Sequence, residues 1–283
     1  MSDAQPSPGM PSPDLPAPDL PAPETLTPFA LRLADAARGA ALPYFRQSGT
    51  VADNKASAGY DPVTEADRAA ERAMRDLIMA ERPEDGIAGE EYGAVEGRSG
   101  YTWYLDPIDG TRAFVAGLPS WTTLIGLVAE GYPVLGVIDQ PWLDERYVGV
   151  GGRAWLDCRG LRTPLKTRDC PKLTDAILTT TDYFILTPPE RGAFEHLRAT
   201  ARLTRYGLDA YGYARLAAGT IDMVAETGLQ SYDVAALIPV IEGAGGVVTD
   251  WRGGRAGLGG QIVAAANQRI LDEALVSLRR SAS

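Results

Sequence analysis

The chain has 283 residues, 45 % of them apolar and 23 % charged, which is enough for a sizeable core and ordinary for a globular protein. Its formal net charge of −10 makes nucleic acid and anionic membranes poor partners, and any phosphate site in so acidic a chain needs local cations or metal ions. The two cysteines, Cys158 and Cys170, lack CxxC spacing, so they form neither a disulfide framework nor a zinc site and fit a reducing cytoplasm. No apolar run reaches the roughly 18 residues of a membrane-crossing helix, and the start lacks the basic and apolar stretches of a signal peptide.

Residues 1–24, with the near-repeat PDLPAP, bury too little apolar surface to offset the entropy of ordering and read as a disordered tail. Thr27 reads as a helix N-cap with Pro28 behind it, and Phe29, Leu33, Ala36, Ala37 and Ala40 follow at helical spacing. Lys55 to Asp61 reads as a turn or hairpin around Gly59. A second helix follows Thr64, with Asp67 placed three residues on for a capping box. Tyr101 to Leu105 is a strand running into Asp106. From Thr123 to Trp155 the runs TLIGLV, PVLGVI and RYVGV predict antiparallel sheet. Beyond a seam near 160–175, AILTTT, IDMVAE, VVTDW and IVAAAN predict strands. ERGAFEHLRATA, AYGYARLAAG, DVAALIPVIEGAG and QRILDEALVSLRR predict helices, and the single histidine, His196, falls on the surface of the first of these. Such alternation argues for a layered α/β (α+β) sandwich.

The most informative segment is Asp106-Pro107-Ile108-Asp109-Gly110-Thr111. Pro107 keeps Asp106 extended and Gly110 permits a tight turn, so both acids project at a strand's carboxyl end, where α/β folds place ligands. Hard divalent cations take such oxygen ligands, and the following helix start offers amides to phosphate. Alone, the segment reads equally well as a turn whose acids cap a helix. Gly89-Glu90-Glu91, Asp61-Pro62-Val63-Thr64-Glu65-Ala66-Asp67 and Tyr232-Asp233-Val234-Ala235-Ala236 add further carboxylates.

DPVTEAD (61–67), GEE (89–91), DPIDGT (106–111) and YDVAA (232–236), in that order and followed by GAGG (243–246), resemble the inositol-monophosphatase superfamily from Thr27 to the C-terminus. The resemblance implies an αβαβα sandwich of the inositol-monophosphatase/fructose-bisphosphatase type, a homodimer, and hydrolysis of a small phosphate ester with two or three Mg²⁺ ions. By the same match Glu90, Asp106, the carbonyl of Ile108, Asp109 and Asp233 are metal ligands. Thr111, Asp67 and Glu90 are the catalytic groups that orient and activate the attacking water, and the amides of Gly110 and Thr111 hold phosphate. An N-terminal half, 25–170, then carries most metal ligands, and a C-terminal half, 171–283, carries Asp233 and the substrate contacts.

DGTRAFVAGLPSWTTLIGL and AETGLQSYDVAALIPVIEGAGGVVTDW look like the histidinol-phosphate phosphatase branch, although Ser231 stands where its members often have Pro. Inositol 1-phosphate or a broad set of sugar phosphates is the alternative substrate class, and a catalytically silent phospho-ligand binder is a third reading. Glu226, seven residues before Asp233, matches the family position that contacts the leaving alcohol, and a carboxylate there suits an ammonium. Asp209 is a second candidate on the same grounds, ranked after Glu226. Arg112 either faces the entrance or is a solvated helix arginine, and Lys55 either lines a loop near the metals or is a surface lysine. The five tryptophans read mostly as packing residues.

Overall fold

Apolar residues alternate along the strands, so each strand sends side chains to two opposite faces of its sheet, and helices cover those faces. A computed structural model describes residues 21–47, 53–54 and 62–283, without the side chains of 53–54 and 62–63. In chain order come α1 (Thr27–Ala41), β1 (Asp53–Asn54), β2 (Pro62–Val63), α2 (Glu65–Glu81), β3 (Gly86–Gly89), β4 (Gly93–Val95), β5 (Tyr101–Asp109) and α3 (Thr111–Val115). Then follow β6 (Thr122–Ala129), β7 (Tyr132–Gln140), β8 (Glu145–Val150), β9 (Arg153–Cys158), β10 (Leu161–Pro164), β11 (Ile177–Thr180) and α4 (Pro188–Thr200). The chain closes with β12 (Leu203–Tyr206), α5 (Asp209–Ala217), β13 (Met223–Leu229), α6 (Ser231–Val234), α7 (Leu237–Gly243), β14 (Val247–Asp250), β15 (Gly260–Ala265) and α8 (Gln268–Leu278).

An eight-stranded sheet runs β10-β9-β8-β7-β6-β5-β3-β4, antiparallel except where β3 meets β5. A five-stranded sheet runs β12-β11-β13-β15-β14, parallel only where β11 meets β12 and β13. Ile125, Leu127, Leu135, Val137 and Val148 face a core with α1 and α2, whereas Leu124, Ile138 and Tyr147, on the other face, pack with α5 and α7. In the second sheet Val224, Ile262 and Ala264 join that middle layer, and Met223, Ala225, Val263 and Ala265 face α4 and α8. The layers are therefore helix, sheet, helix, sheet, helix, as the resemblance implied.

One sequence feature brings the middle layer close. Gly126, Gly136 and Gly149 lie side by side across β6, β7 and β8. A Cβ at Gly136 would fall 2.0 Å from the carbonyl oxygen of Ala236, and one at Gly149 2.2 Å from that of Pro239. Side chains here would lift α6 and α7 off the sheet, and Asp233 with them.

Four sequence expectations change. Thr27 is the first residue of α1, not its cap: a 3₁₀ turn over Pro23–Leu26 precedes it, Leu26 is buried, and the Tyr101 hydroxyl donates to Pro21 O at 2.5 Å. Residues 21–24, assigned to the tail, thus belong to the folded body, because Leu26 and Pro21 have partners on the sheet. The helix expected over DVAALIPVIEGAG is split into α6 and α7, since Pro239 has no N–H to give to Ala235. As the third residue of α7 it is tolerated, because the first amides of a helix lack partners anyway. The strand into Asp106 extends to Asp109. Residues 1–20 and the turn or hairpin expected over Lys55 to Asp61 lie outside the described residues, while β1 and β2, which precede and follow 55–61, pair antiparallel. His196 is exposed on α4, and Trp103, Trp121 and Trp251 are fully buried.

Candidate active site

Asp106 and Asp109 are three apart on one strand, which in regular β-structure would send them to opposite faces. The pairing of β5 with β6 shifts register between them. This bulge turns both acids into one cleft of about 270 Å³ at the end of the eight-stranded sheet. Gly110 then carries the chain into α3 with φ 82°, and a Cβ on it would stand 3.2 Å from the Asp209 carboxyl. Asp233, the third residue of α6, arrives from the middle layer. One oxygen from each of Asp106, Asp109 and Asp233 lies within 4.8 Å of the other two. Each carboxylate is fixed by a backbone amide: Ile108 N–H donates to Asp106 Oδ1 at 3.0 Å, Ala210 N–H to Asp109 Oδ2 at 2.6 Å, and Gln230 N–H to Asp233 Oδ2 at 2.6 Å.

Glu90, Ile108, Gly110, Thr111, Arg112 and Asp209 also line the cleft. The Thr111 hydroxyl lies 3.0 Å from Ile108 O and 3.4 Å from Asp67 Oδ1. Asp67 is buried at the start of α2, where its Oδ2 accepts from Thr64 N–H at 2.7 Å and Thr64 Oγ1 at 2.6 Å. One carboxylate thus caps a helix and reaches the threonine of another element. Arg112 bridges to Asp182 at 3.3 Å on the rim.

Glu226 is not on the cleft wall. It is buried, with Oε1 accepting from Thr181 N–H at 2.8 Å and from Thr181 Oγ1 at 2.5 Å, and Oε2 accepting from the Tyr213 hydroxyl at 3.0 Å. Thr181 lines the cleft and Glu226 stands behind it. Asp209, ranked second from sequence, is the one of the two that lines the cleft, held at the first residue of α5 with φ 49°. Thr181 and Ile185 are wall residues that the sequence reading missed. Their signal was available: AILTTT is a strand whose carboxyl end opens onto TDYFI.

The electrostatics are those of an acidic cleft short of cations. Burial, then the charges of Glu90, Asp109 and Asp233, hold Asp106 well above the usual carboxylate range. Burial, then Asp209 and Asp233, do the same to Asp109. Asp233 and Asp209 are each pushed up to about 7, chiefly by burial, and Asp67 to about 6 for the same reason. Among the described wall residues Arg112 is the one cation. Hard oxygen donors in this density fit a divalent ion such as Mg²⁺, which takes oxygen ligands of this kind. A larger groove of about 810 Å³ between α1 and β8–β10 has Glu24 as its one acid among the described residues, so it is the chemistry of the smaller cleft that marks the site.

The profile of the Inositol monophosphatase family matches residues 22–283. The chain is 42 % identical over 262 residues to the bifunctional phosphatase IMPL2, chloroplastic, of Arabidopsis thaliana, covering 87 % of this chain and 72 % of that one. It is 35 % identical over 243 residues to a histidinol-phosphatase of Chlorobaculum parvum, covering 85 % and 92 %. A solved structure of an inositol monophosphatase from Zymomonas mobilis superposes with a TM-score of 0.81 at 40 % identity, over 92 % of this chain and 99 % of that one.

Proposed function

The chain belongs to the inositol monophosphatase family, and from that premise we propose that it is a Mg²⁺-dependent phosphatase of L-histidinol phosphate. It is a phosphomonoesterase of that family, with an aspartate cluster suited to metal. The observation that carries the mechanism is the convergence of Asp106, Asp109 and Asp233 beside the Thr111–Asp67 pair. In this reading those three aspartates, Glu90 and the Ile108 carbonyl hold two or three Mg²⁺ ions. Bound Mg²⁺ would neutralise phosphoryl oxygens, acidify the attacking water and stabilise the leaving alkoxide. The Thr111 hydroxyl, donating its proton to Asp67, keeps a lone pair to accept from that water and orient it. The amides of Gly110 and Thr111 face the phosphate. No Ser, Cys or His nucleophile is needed.

The choice of histidinol phosphate rests on the carboxylate side of the cleft. Asp209 and Asp233 both line it. An ammonium on the leaving alcohol is attracted there, and a neutral polyol is not. The alternative, inositol 1-phosphate, is favoured by the 40 % identity to the Zymomonas mobilis inositol monophosphatase. Phosphate release from histidinol phosphate, inositol 1-phosphate, fructose 1,6-bisphosphate and 3′-phosphoadenosine 5′-phosphate, each with Mg²⁺ and with excess EDTA, tests the reading. Preference for inositol 1-phosphate overturns the substrate, and full activity in EDTA overturns the metal mechanism. Homodimerisation, measurable by light scattering, and a reducing cytoplasmic location, in keeping with the unbonded Cys158 and Cys170, complete the proposal.

A further inference from the structure

Glu90 is the one carboxylate assigned to the metals that is carried by neither β5 nor α6; it sits on a short turn after β3. Something must hold that turn against its neighbours. On one side its backbone is tied to the sheet, where Glu90 N–H donates to Leu105 O at 3.2 Å. On the other side stands α2. Glu71, fully buried, accepts from Glu91 N–H at 2.7 Å through Oε2 and from Tyr92 N–H at 3.2 Å through Oε1. The same Oε1 accepts from Arg75 Nε at 2.7 Å, and Arg75, itself buried, donates onward to Gly93 O. The carboxylate is seated so tightly that a Cβ at Gly89 would fall 2.0 Å from Glu71 Oε1. Asp67 lies one turn earlier on the same helix face, where it reaches Thr111.

We infer that Glu71, locked by Arg75, is a positioning residue that holds the turn 89–93 so that Glu90 faces Asp106, and thereby sets the affinity of the cleft for divalent cations. A buried ion pair that served only to stabilise the fold would be a poor choice, since an apolar pair of the same volume does as well. This pair instead spends three of its hydrogen bonds on the backbone of one turn. α2 therefore braces two walls of the cleft at once, Thr111 through Asp67 and Glu90 through Glu71. The inference rests on the metal reading above.

Glu71→Gln tests it. Three donors converge on the carboxylate, and a carboxamide has one acceptor oxygen and turns an NH₂ toward a donor. The turn then shifts while the volume is kept. Metal-free protein is titrated with Mn²⁺ and the free ion is counted by electron paramagnetic resonance. The expected result is an apparent Mn²⁺ dissociation constant raised about tenfold, the usual effect of losing a partner that orients a metal ligand. The Mg²⁺ activation curve should move by a similar factor, with kcat at saturating Mg²⁺ changed less than about threefold. A lower melting temperature with unchanged Mn²⁺ affinity in the folded variant overturns the inference. If Glu71→Gln does not fold, Arg75→Lys decides, because lysine puts all its donors on one nitrogen and lacks the planar fork by which Arg75 reaches Glu71 and Gly93 O from two; unchanged Mn²⁺ affinity there overturns it equally. If the parent protein binds no Mn²⁺, it is the metal reading of the cleft that fails, before the positioning role is reached.

Discussion

Replacing Asp209 with Asn removes a charge from the cleft wall while keeping shape, and Asn accepts the left-handed backbone at this position (φ 49°) better than most residues. The fold should survive. Asp209 is pushed up to about 7, chiefly by burial, with Arg112 pulling the other way, and a cationic group arriving beside it would favour its charged form. A partly buried charged hydrogen bond contributes about 1.5–3 kcal/mol, or roughly ten- to a hundred-fold in rate. Asp209→Asn should therefore lower kcat/KM for histidinol phosphate by that factor and change it less than about threefold for inositol 1-phosphate. Glu226→Gln is the comparison. Its carboxylate is committed to Thr181 and Tyr213, so it should lower the melting temperature and affect both substrates alike. Steady-state kinetics on the two phosphate esters decide. Equal losses for both substrates in Asp209→Asn, or a selective loss in Glu226→Gln, would refute this reading of the wall.

Three further outcomes follow from the same geometry. Asp106→Asn should cost on the order of 10³-fold in kcat with the circular-dichroism spectrum unchanged, and near-normal turnover would show that the cluster is not the catalytic centre. Thr111→Val deletes the hydroxyl that bridges toward Asp67; it should lower kcat by about 10²-fold while leaving Mn²⁺ affinity within about threefold, and parallel losses of both would make the threonine a support for the metals instead. In metal-free protein, Asp67, Asp209 and Asp233 have folded-state values of about 6, 7 and 7, above those of the unfolded chain. The folded form then holds protons that the unfolded form has released. Stability present at low pH is lost as pH rises through that window. The melting temperature in EDTA should fall by at least roughly 3 °C between about pH 5.5 and 7.5, and Mg²⁺ should reverse the fall; a rising profile in EDTA contradicts it.

Local physics was legible along the chain. The capping box of Thr64 and Asp67, the period-two alternation of β6 to β8 and the strand–turn–helix of Asp106 to Thr111 are short-range patterns, and each appears where residue spacing puts it. Even the glycines that admit the middle helices are visible as Gly126, Gly136 and Gly149, although nothing short of strand order aligns them.

What tertiary structure alone decided is direction and proximity. Spacing from Asp233 marked Glu226 as the substrate contact, but the parallel pairing of β11 with β13 puts Thr181 in front of it, and the carboxylate on the cleft wall is Asp209. The bulge that turns Asp106 and Asp109 to the same side depends on how β5 meets β6. Glu71 carried no signal at all in sequence, because a glutamate on a helix is ordinarily solvated; its role exists only where α2 packs against the turn after β3. Sequence fixes which groups can ionise, cap or bend, since those are properties of a residue and its near neighbours. Which carboxylates share a cleft is set by the order in which distant strands and helices stack, and each side chain's charge and pKa follow from that stacking.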